Sequence, residues 1–445
     1  MNEESSQLRV NMNTASELDE IRVGRLEEDT PVHDMQLMEK VVEAFNLRCA
    51  LHKVRSNKGG AGIDGKTVDD LPAYLKQHWP SIKTQLLSGT YQPNPVKQVL
   101  IPKPDGGKRK LGIPTVVDRF IQQALLQVLQ PEWDRTFSHS SFGFRPNRSA
   151  HQAVKRSQHY INHGARWVVD MDLEKFFDRV NHDVLMSRIK RRVSDKRVLK
   201  LIDRFLKAGA LSGNQYLETD EGTPQGGPLS PLLANLLLDD LDKALERRGH
   251  QFVRYADDCN IYVRSLLAGK RTLNSISHWL KRKLKLTVNE QKSAVDRPWN
   301  RSFLGFTFSP RGRYKKLKVS DKAIAQLKYR VRVITRRTRG RTFAHIVSDL
   351  RKYLLGWRGY FGVCEIKGAL VDLDKWIRRK LRCYIWKQWG RSGYRQLRKR
   401  GVKRSLAWNT AKSAHGPWRL SHSPALYIAL PKGLFTKMGV PALAE

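Results

Sequence analysis

The stretch FVRYADDCNIYV, residues 252–263, sets two adjacent carboxylates, Asp257 and Asp258, inside a run that otherwise reads as a β-hairpin. Phe252, Val253 and Tyr255 on one side and Ile261, Tyr262 and Val263 on the other are strand formers, and Ala-Asp-Asp-Cys-Asn between them is turn chemistry. The pattern predicts a hairpin with both acids at its tip. Asp is an ordinary turn residue, so the pair acquires chemical meaning only if other carboxylates and an anionic partner belong with it.

The composition supplies the partner. Among 445 residues, 82 Lys and Arg stand against 42 Asp and Glu, a formal charge of +40, so a polyanion is expected to bind. A membrane surface would also attract such a chain. However, there is no apolar run of spanning length, no lipidation signal, and the polar start MNEESSQLRV is unlike a secretory leader. Nucleic acid is therefore favoured and membrane attachment is not expected. The 11 Trp and 13 Tyr, interleaved with basic residues, offer stacking surfaces as well. Cys49, Cys259, Cys364 and Cys383 are scattered without a Cys-x-x-Cys pair, which argues against zinc ribbons and disulfide frameworks and suits a reducing, cytoplasmic setting with free thiols.

Along the chain, residues 1–34 are polar and weakly periodic and read as a disordered extension. Apolar spacing predicts one helix from Met35 to about Val54, ending at the loop SNKGGAGIDG, for which a flexible linker is the plain reading. Strand and helix signals then alternate to about residue 310, with VKQVLIPK and KLGIPTV as strands and DRFIQQALLQVLQPEWD as a helix, an α+β pattern. Past residue 315 strands are expected to vanish and basic helices to follow (AIAQLKYRVRVI, FAHIVSDLRKYLLGW, LVDLDKWIRRKLRCYIWKQW). From about Gly390 a small basic appendage with Gly, Pro and Trp is expected.

A metal at Asp257 and Asp258 would need further anionic oxygens. WVVDMDLEKFFDRV, residues 167–180, is the best source: a strand opens it, Asp170 and Asp172 fall on one face by alternation, and a helix is expected to follow. Taken alone, these acids would merely favour a helix N-terminus. A third segment, EGTPQGGPLSPLLANLLLDDLDKAL, has a Gly-Pro loop holding Gln225 ahead of an apolar helix, Leu232 to Leu245. Such loops mostly turn the chain, but they also let backbone approach a ligand.

In this order, Asp172-Leu173-Glu174-Lys175-Phe176-Phe177-Asp178, Thr223-Pro224-Gln225-Gly226-Gly227 and Tyr255-Ala256-Asp257-Asp258 resemble motifs A, B and C of a reverse transcriptase. More narrowly, AGIDG, IPKPDGGKRKLGIPTVVDRFIQQA, SSFGFRPNRSAHQA, LTVNEQKSAVDRP, FLGFTF and GWRGYF resemble successive blocks of group II intron-encoded reverse transcriptases, bacterial class C proteins above all. The similarity runs from about residue 40 into the 390s. It implies a right-hand polymerase, with fingers and palm over 35–314, a helical thumb or maturase domain over 315–390, and a basic DNA-binding region over 391–445.

The resemblance also implies roles. Asp172, Asp257 and Asp258, with the Leu173 carbonyl, would hold a pair of Mg²⁺ ions, Mn²⁺ being a substitute. Lys103 and Arg109 would grip the triphosphate of an incoming dNTP, Gln225 would pack against it, and Lys292 would protonate pyrophosphate. Phe177 would close the space beneath the sugar and exclude a 2′-hydroxyl, while Asp170 and Asp178 are read as structural. Arg336, Arg337, Arg339, Arg378, Arg379 and Arg382 on thumb helices would contact the phosphates of the RNA template with its DNA primer and of the intron RNA. No cysteine follows Cys383, and His415 and His422 show no metal-ligand pattern. A member without the His-Asn-His endonuclease of many relatives is expected, one that binds target DNA without cutting it. The implied function is RNA-directed DNA synthesis with help to intron splicing and mobility, in a bacterial, nucleoid-associated protein. The alternatives are a splicing cofactor without polymerase activity and a host-adopted relative in phage defence or repair.

Overall fold

The computed structural model describes residues 36–444 except 103–106, 214, 219, 225 and 339. The expected extension over 1–34 and the candidate residues Lys103, Gln225 and Arg339 lie outside the described residues. The strands are β1 Val96–Pro102, β2 Lys108–Ile113, β3 Trp167–Met171, β4 Ala210–Ser212, β5 Gln215–Leu217, β6 Gln251–Tyr255, β7 Asp258–Val263, β8 Ala294–Asp296, β9 Phe306–Phe308 and β10 Leu317–Val319. They form a central sheet in the order β6-β7-β3-β8, a second sheet β2-β1-β4-β5, and the β9–β10 pair.

Alternation along the central strands splits the hydrophobic core between two faces of one sheet. Val169, Met171, Phe252, Cys259 and Ile261 face one core with helices Val116–Thr136 and Ser230–Arg247. Val168, Val253 and Tyr262 face the other, which takes in helix Ala150–Asn162 and the helices after residue 320. Burial on both sides explains why β3 reads WVV with no polar residue before Asp170. Two helices that frame the site start at side-chain caps. Thr115 Oγ accepts from the Asp118 N–H at 3.1 Å, and Ser149 and Gln152 form a capping box.

Three expectations are corrected, and the plain reading of one loop is replaced. The helix drawn from Met35 to Val54 is broken into Leu37–Val41 and Ala44–Ser56, with Glu43 extended between them. Asn46 Nδ2 donates to the Val41 carbonyl at 2.9 Å and to that of Ala124 at 3.1 Å, so a side chain stabilises the break. The SNKGGAGIDG loop is packed rather than a linker. Arg119 donates to the Gly60 carbonyl at 2.6 Å, and a Cβ on Gly62 would lie 2.7 Å from the Thr115 Cα. Strands do not vanish at 315: Leu317 and Val319 are buried around Lys318 and pair with Phe308 and Phe306. Finally, the segment after Gly390 is no separate appendage in its packing. Leu397, Ala407, Leu426 and Phe435, from its short helices, share one core with Ile377 and Leu381 of helix Gly368–Trp389.

Candidate active site

The β6–β7 connection is tighter than the five-residue turn expected from sequence. Tyr255 pairs with Asp258, leaving only Ala256 and Asp257 in the turn. Cys259 and Asn260 belong to the strand and both are buried, the free thiol packing as a small apolar group. Ala256 takes a left-handed φ of 57°, a conformation that usually falls to Gly or Asn.

The β3–β7 ladder matches Asp170 with Asn260 and Met171 with Cys259. One further step places Asp172 opposite Asp258. Beyond Met171 no helix follows; the chain pairs instead with residues 287–289. Asn289 N–H donates to the Asp172 carbonyl and Glu174 N–H to that of Thr287, both at 2.8 Å, and Leu173 bridges Val288. In that pattern Leu173's own amide is not used by the 287–289 segment and faces the β7 side. A 3₁₀ turn at Phe176–Asp178 comes next. Phe176 is core at 2 % exposure, while Phe177, edge-on to it at 5.1 Å, lines the cleft. The Thr223 N–H donates to the Phe177 carbonyl and the Gly222 N–H to that of Val180, each at 2.7 Å. These bonds fasten the Gly-Pro loop beneath the ring. A Cβ at Gly226 would lie 2.5 Å from the Gly112 carbonyl, so the same loop closes on β2.

Asp172, Leu173, Phe177, Asp257, Arg109 and Lys292 thus surround one cleft of about 1040 Å³, and Asp258 opens beside it. Its charges are unevenly balanced. Lys292 Nζ lies 3.7 Å from Asp172 Oδ2, and Arg301 pairs with Asp170 at 2.6 Å. Asp257 is held above the usual carboxylate range by burial and by Asp172, with Arg109 and Arg254 opposing. Asp258, an exposed residue beside the cleft, is pushed up to about 7, first by partial desolvation and then by the charges of Asp257, Asp172 and Asp170. Among the described residues no group of three or more His, Cys, Asp or Glu side chains is arranged to hold a metal ion. Asp172, Asp257 and Asp258, which the strand register brings together, offer only hard oxygen donors.

The basic residues proposed for RNA contact separate in space. Arg336 and Arg337 are exposed, but in the loop after helix Asp321–Ile334 rather than on it. Arg378 is half-buried; Arg379 lies 4.1 Å over the Trp418 ring and donates to the Trp418 carbonyl. Arg382 is corrected: 3 % exposed, it donates to the Leu430 carbonyl at 3.0 Å beneath the Tyr427 ring, so it ties the last helices to helix Gly368–Trp389 and presents no charge to a ligand. Sequence reading missed Arg254, Asp242 and Asn235, which support the turn from within. Their signal was a charged residue inside an apolar strand and acids inside an apolar helix, patterns that burial demands be paired.

A family model described as "Reverse transcriptase (RNA-dependent DNA polymerase)" matches residues 101–308, and one described as "Group II intron, maturase-specific domain" matches 324–403. The chain is 37% identical to Protein YkfC of Escherichia coli K12 over 49% of its own length and 59% of that protein. It is 36% identical to the group II intron-encoded protein LtrA of Lactococcus lactis, covering 55% of this chain and 40% of LtrA. It is 27% identical to the putative COX1/OXI3 intron 2 protein of Saccharomyces cerevisiae over 82% of this chain and 49% of that one. The chain thus spans about half the length of these relatives. Among the described residues, no helix is long and apolar enough to cross a membrane.

Proposed function

We propose that the chain is a group II intron-encoded reverse transcriptase, an RNA-directed DNA polymerase whose thumb also binds its intron RNA in splicing and in target-primed insertion. The observation that carries this reading is the β3–β7 register, which sets Asp172 against the Asp257–Asp258 turn in a cleft flanked by Arg109 and Lys292.

Divalent cations fit the donor set. Mg²⁺ favours carboxylate oxygens, takes few of them from the protein and completes its shell with substrate phosphates and water, which suits a set of only three carboxylates. In this reading Asp172, Asp257, Asp258 and the Leu173 carbonyl hold the Mg²⁺, with Mn²⁺ as a substitute. When bound, the metal supplies charge neutralisation at the attacking oxygen and the leaving phosphates. The chain's own groups do the rest. In this reading Arg109, on β2, would grip the triphosphate of a dNTP, and Lys292, beside Asp172, would give a proton to the departing pyrophosphate. Phe177 walls the sugar. Arg336, Arg337 and the surrounding positive charge hold RNA template, DNA primer and target DNA through their phosphates. The test is primer extension by purified protein on an RNA template with dNTPs and Mg²⁺; failure to extend any primer while intron RNA is still bound would leave only the binding half of the proposal.

The proposed RNA contact predicts a salt dependence. Log affinity for structured RNA should fall with log salt by roughly 0.7–0.9 per phosphate contacted, measured between about 50 and 200 mM. Arg336→Gln with Arg337→Gln should flatten that slope by roughly 1–2; an unaltered slope takes this loop out of the interface.

The crowded acids predict a pH dependence of stability. The Asp258 carboxyl titrates higher in the folded chain, at about 7, than in the unfolded chain, so its ionised form is disfavoured by the fold. Its penalty is absent at low pH and fully present above about pH 7. In EDTA, Asp258→Asn should therefore raise the melting temperature at about pH 8, by roughly 1–3 °C after allowing for exposure to the cleft, and leave it unchanged near pH 4. Equal effects at both pH values would show that the acids do not repel.

A further inference from the structure

The strongest unassigned feature is the fully buried guanidinium of Arg254, three residues before Asp257. All five of its N–H donors find acceptors. Nε donates to Asp242 Oδ1 at 2.7 Å, Nη2 to Asp242 Oδ2 at 2.6 Å and to Ser141 Oγ at 2.8 Å, and Nη1 to Asn235 Oδ1 and to the Ala256 carbonyl, each at 2.9 Å. Arg254 and Asp242 are both at 0% exposure. Its backbone is engaged too, with the N–H donating to Ser140 and the carbonyl accepting from Phe142.

A buried ion pair by itself is weak evidence of anything beyond folding. Two contacts separate this one from a packing device. One donor ends on the carbonyl of Ala256, the left-handed residue of the two-residue turn that carries the acids. A second link closes a ring: Asn235 Nδ2 donates to the Gly143 carbonyl at 2.8 Å, and Gly143 lies so close to the turn that a Cβ there would come within 2.3 Å of the Ala256 nitrogen. The turn is thus gripped at its carbonyl by Arg254 and flanked at its nitrogen by the Gly143 backbone, which leaves no room for a side chain between them. Both grips trace through Asn235 to helix Ser230–Arg247. Repulsion among the carboxylates acts to open the tip, and a left-handed Ala has no steric preference of its own for staying closed.

We propose that Arg254, with Asp242 and Asn235, is a positioning group that fixes the Ala256–Asp257 turn so that Asp257 and Asp258 present their oxygens to the metal; the proposal rests on the polymerase reading above. Removing the neutral member, Asn235, loosens the turn without leaving a buried charge unpaired, so metal is held less well and the chemical step slows, while dNTP and RNA are gripped as before. A group outside the shell of ligands acting this way changes metal affinity or activity by about 10–100-fold.

The test uses Asn235→Ala, which removes the Arg254–Asn235 and Asn235–Gly143 bonds, so that Arg254 loses the partner that orients it toward the Ala256 carbonyl, together with Arg254→Lys, which keeps the charge and loses the fork. Mn²⁺ affinity is measured by electron paramagnetic resonance, and primer extension gives kcat, the dNTP KM and the half-saturating Mg²⁺. Asn235→Ala is expected to weaken Mn²⁺ binding and lower kcat by about 10–100-fold, with the dNTP KM and RNA affinity within about twofold and the melting transition retained. Mn²⁺ affinity equal to that of the unmutated chain would overturn the proposal, as would losses of kcat, RNA affinity and folded fraction in parallel. Because Mn²⁺ binding is read without turnover, an unmutated chain that extends no primer counts against the polymerase reading and not against the positioning role. Arg254→Lys serves as the second variant: if it folds, it should lose Mn²⁺ affinity in the same way.

Discussion

Asp257→Asn combined with Asp258→Asn is expected to lower RNA-templated primer extension by roughly 10³-fold or more, with affinity for intron RNA within about twofold. The physical reason is a division of labour. The acids sit on a hairpin turn against β3, whereas the exposed basic residues Arg336 and Arg337 lie in the loop after helix Asp321–Ile334. Asn keeps the volume and the turn propensity of Asp while removing the charge a divalent ion needs. It should also remove the desolvation and the repulsion that lift Asp258, so the double variant should fold at least as well as the unmutated chain. Extension near the unmutated rate would remove these residues from catalysis; loss of RNA binding in step with extension would point to a folding defect.

The second large effect concerns sugar choice. Phe177→Ala is expected to lower the preference for dNTP over rNTP by roughly 10²-fold, read from kcat/KM for single-nucleotide incorporation. Phe177 lines the cleft through a ring held in place by Phe176 behind it and by the Thr223 amide on its carbonyl. Truncation leaves that backbone intact and opens room where a 2′-hydroxyl would otherwise meet the ring. The rate with dNTPs should change far less than the selectivity. An unchanged preference would place the discriminating wall elsewhere in the cleft.

Much of this arrangement was legible in the sequence because it is local. The strand ending at Met171, the hairpin about Asp257 and the Gly-Pro loop before helix Ser230–Arg247 each announce themselves in alternation or turn residues. Which Phe is core and which faces the cleft is not written in the residues themselves, since both are apolar and adjacent, and came only through the resemblance; in the structure Phe176 is buried and Phe177 half-buried at the cleft. Nor were the long-range polar contacts. Arg254 meets Asn235 and Ser141, 19 and 113 positions away, and no periodicity encodes such a meeting. The basic helices after residue 320 misled in the opposite sense. Arg382 sits among Arg378, Arg379 and Lys380 and reads as one of a charged face, yet the helix turns it inward beneath Tyr427. The strand Leu317–Val319 was hidden because its alternation is written in Lys and short apolar residues inside a basic run.

The central claim is that Asp172, Asp257 and Asp258 together hold the catalytic metal, and it is tested most directly by mapping the metal itself. Fe²⁺ is substituted for Mg²⁺ in the purified protein, hydroxyl radicals are generated at the bound ion with ascorbate and peroxide, and the cleaved backbone positions are read by mass spectrometry. Cuts should fall at two sites remote in sequence, around Asp172–Leu173 and around Ala256–Asp258, should be suppressed by excess Mg²⁺, and should disappear in the double Asn variant. Cleavage elsewhere, or at one of the two segments without the other, would contradict the shared site.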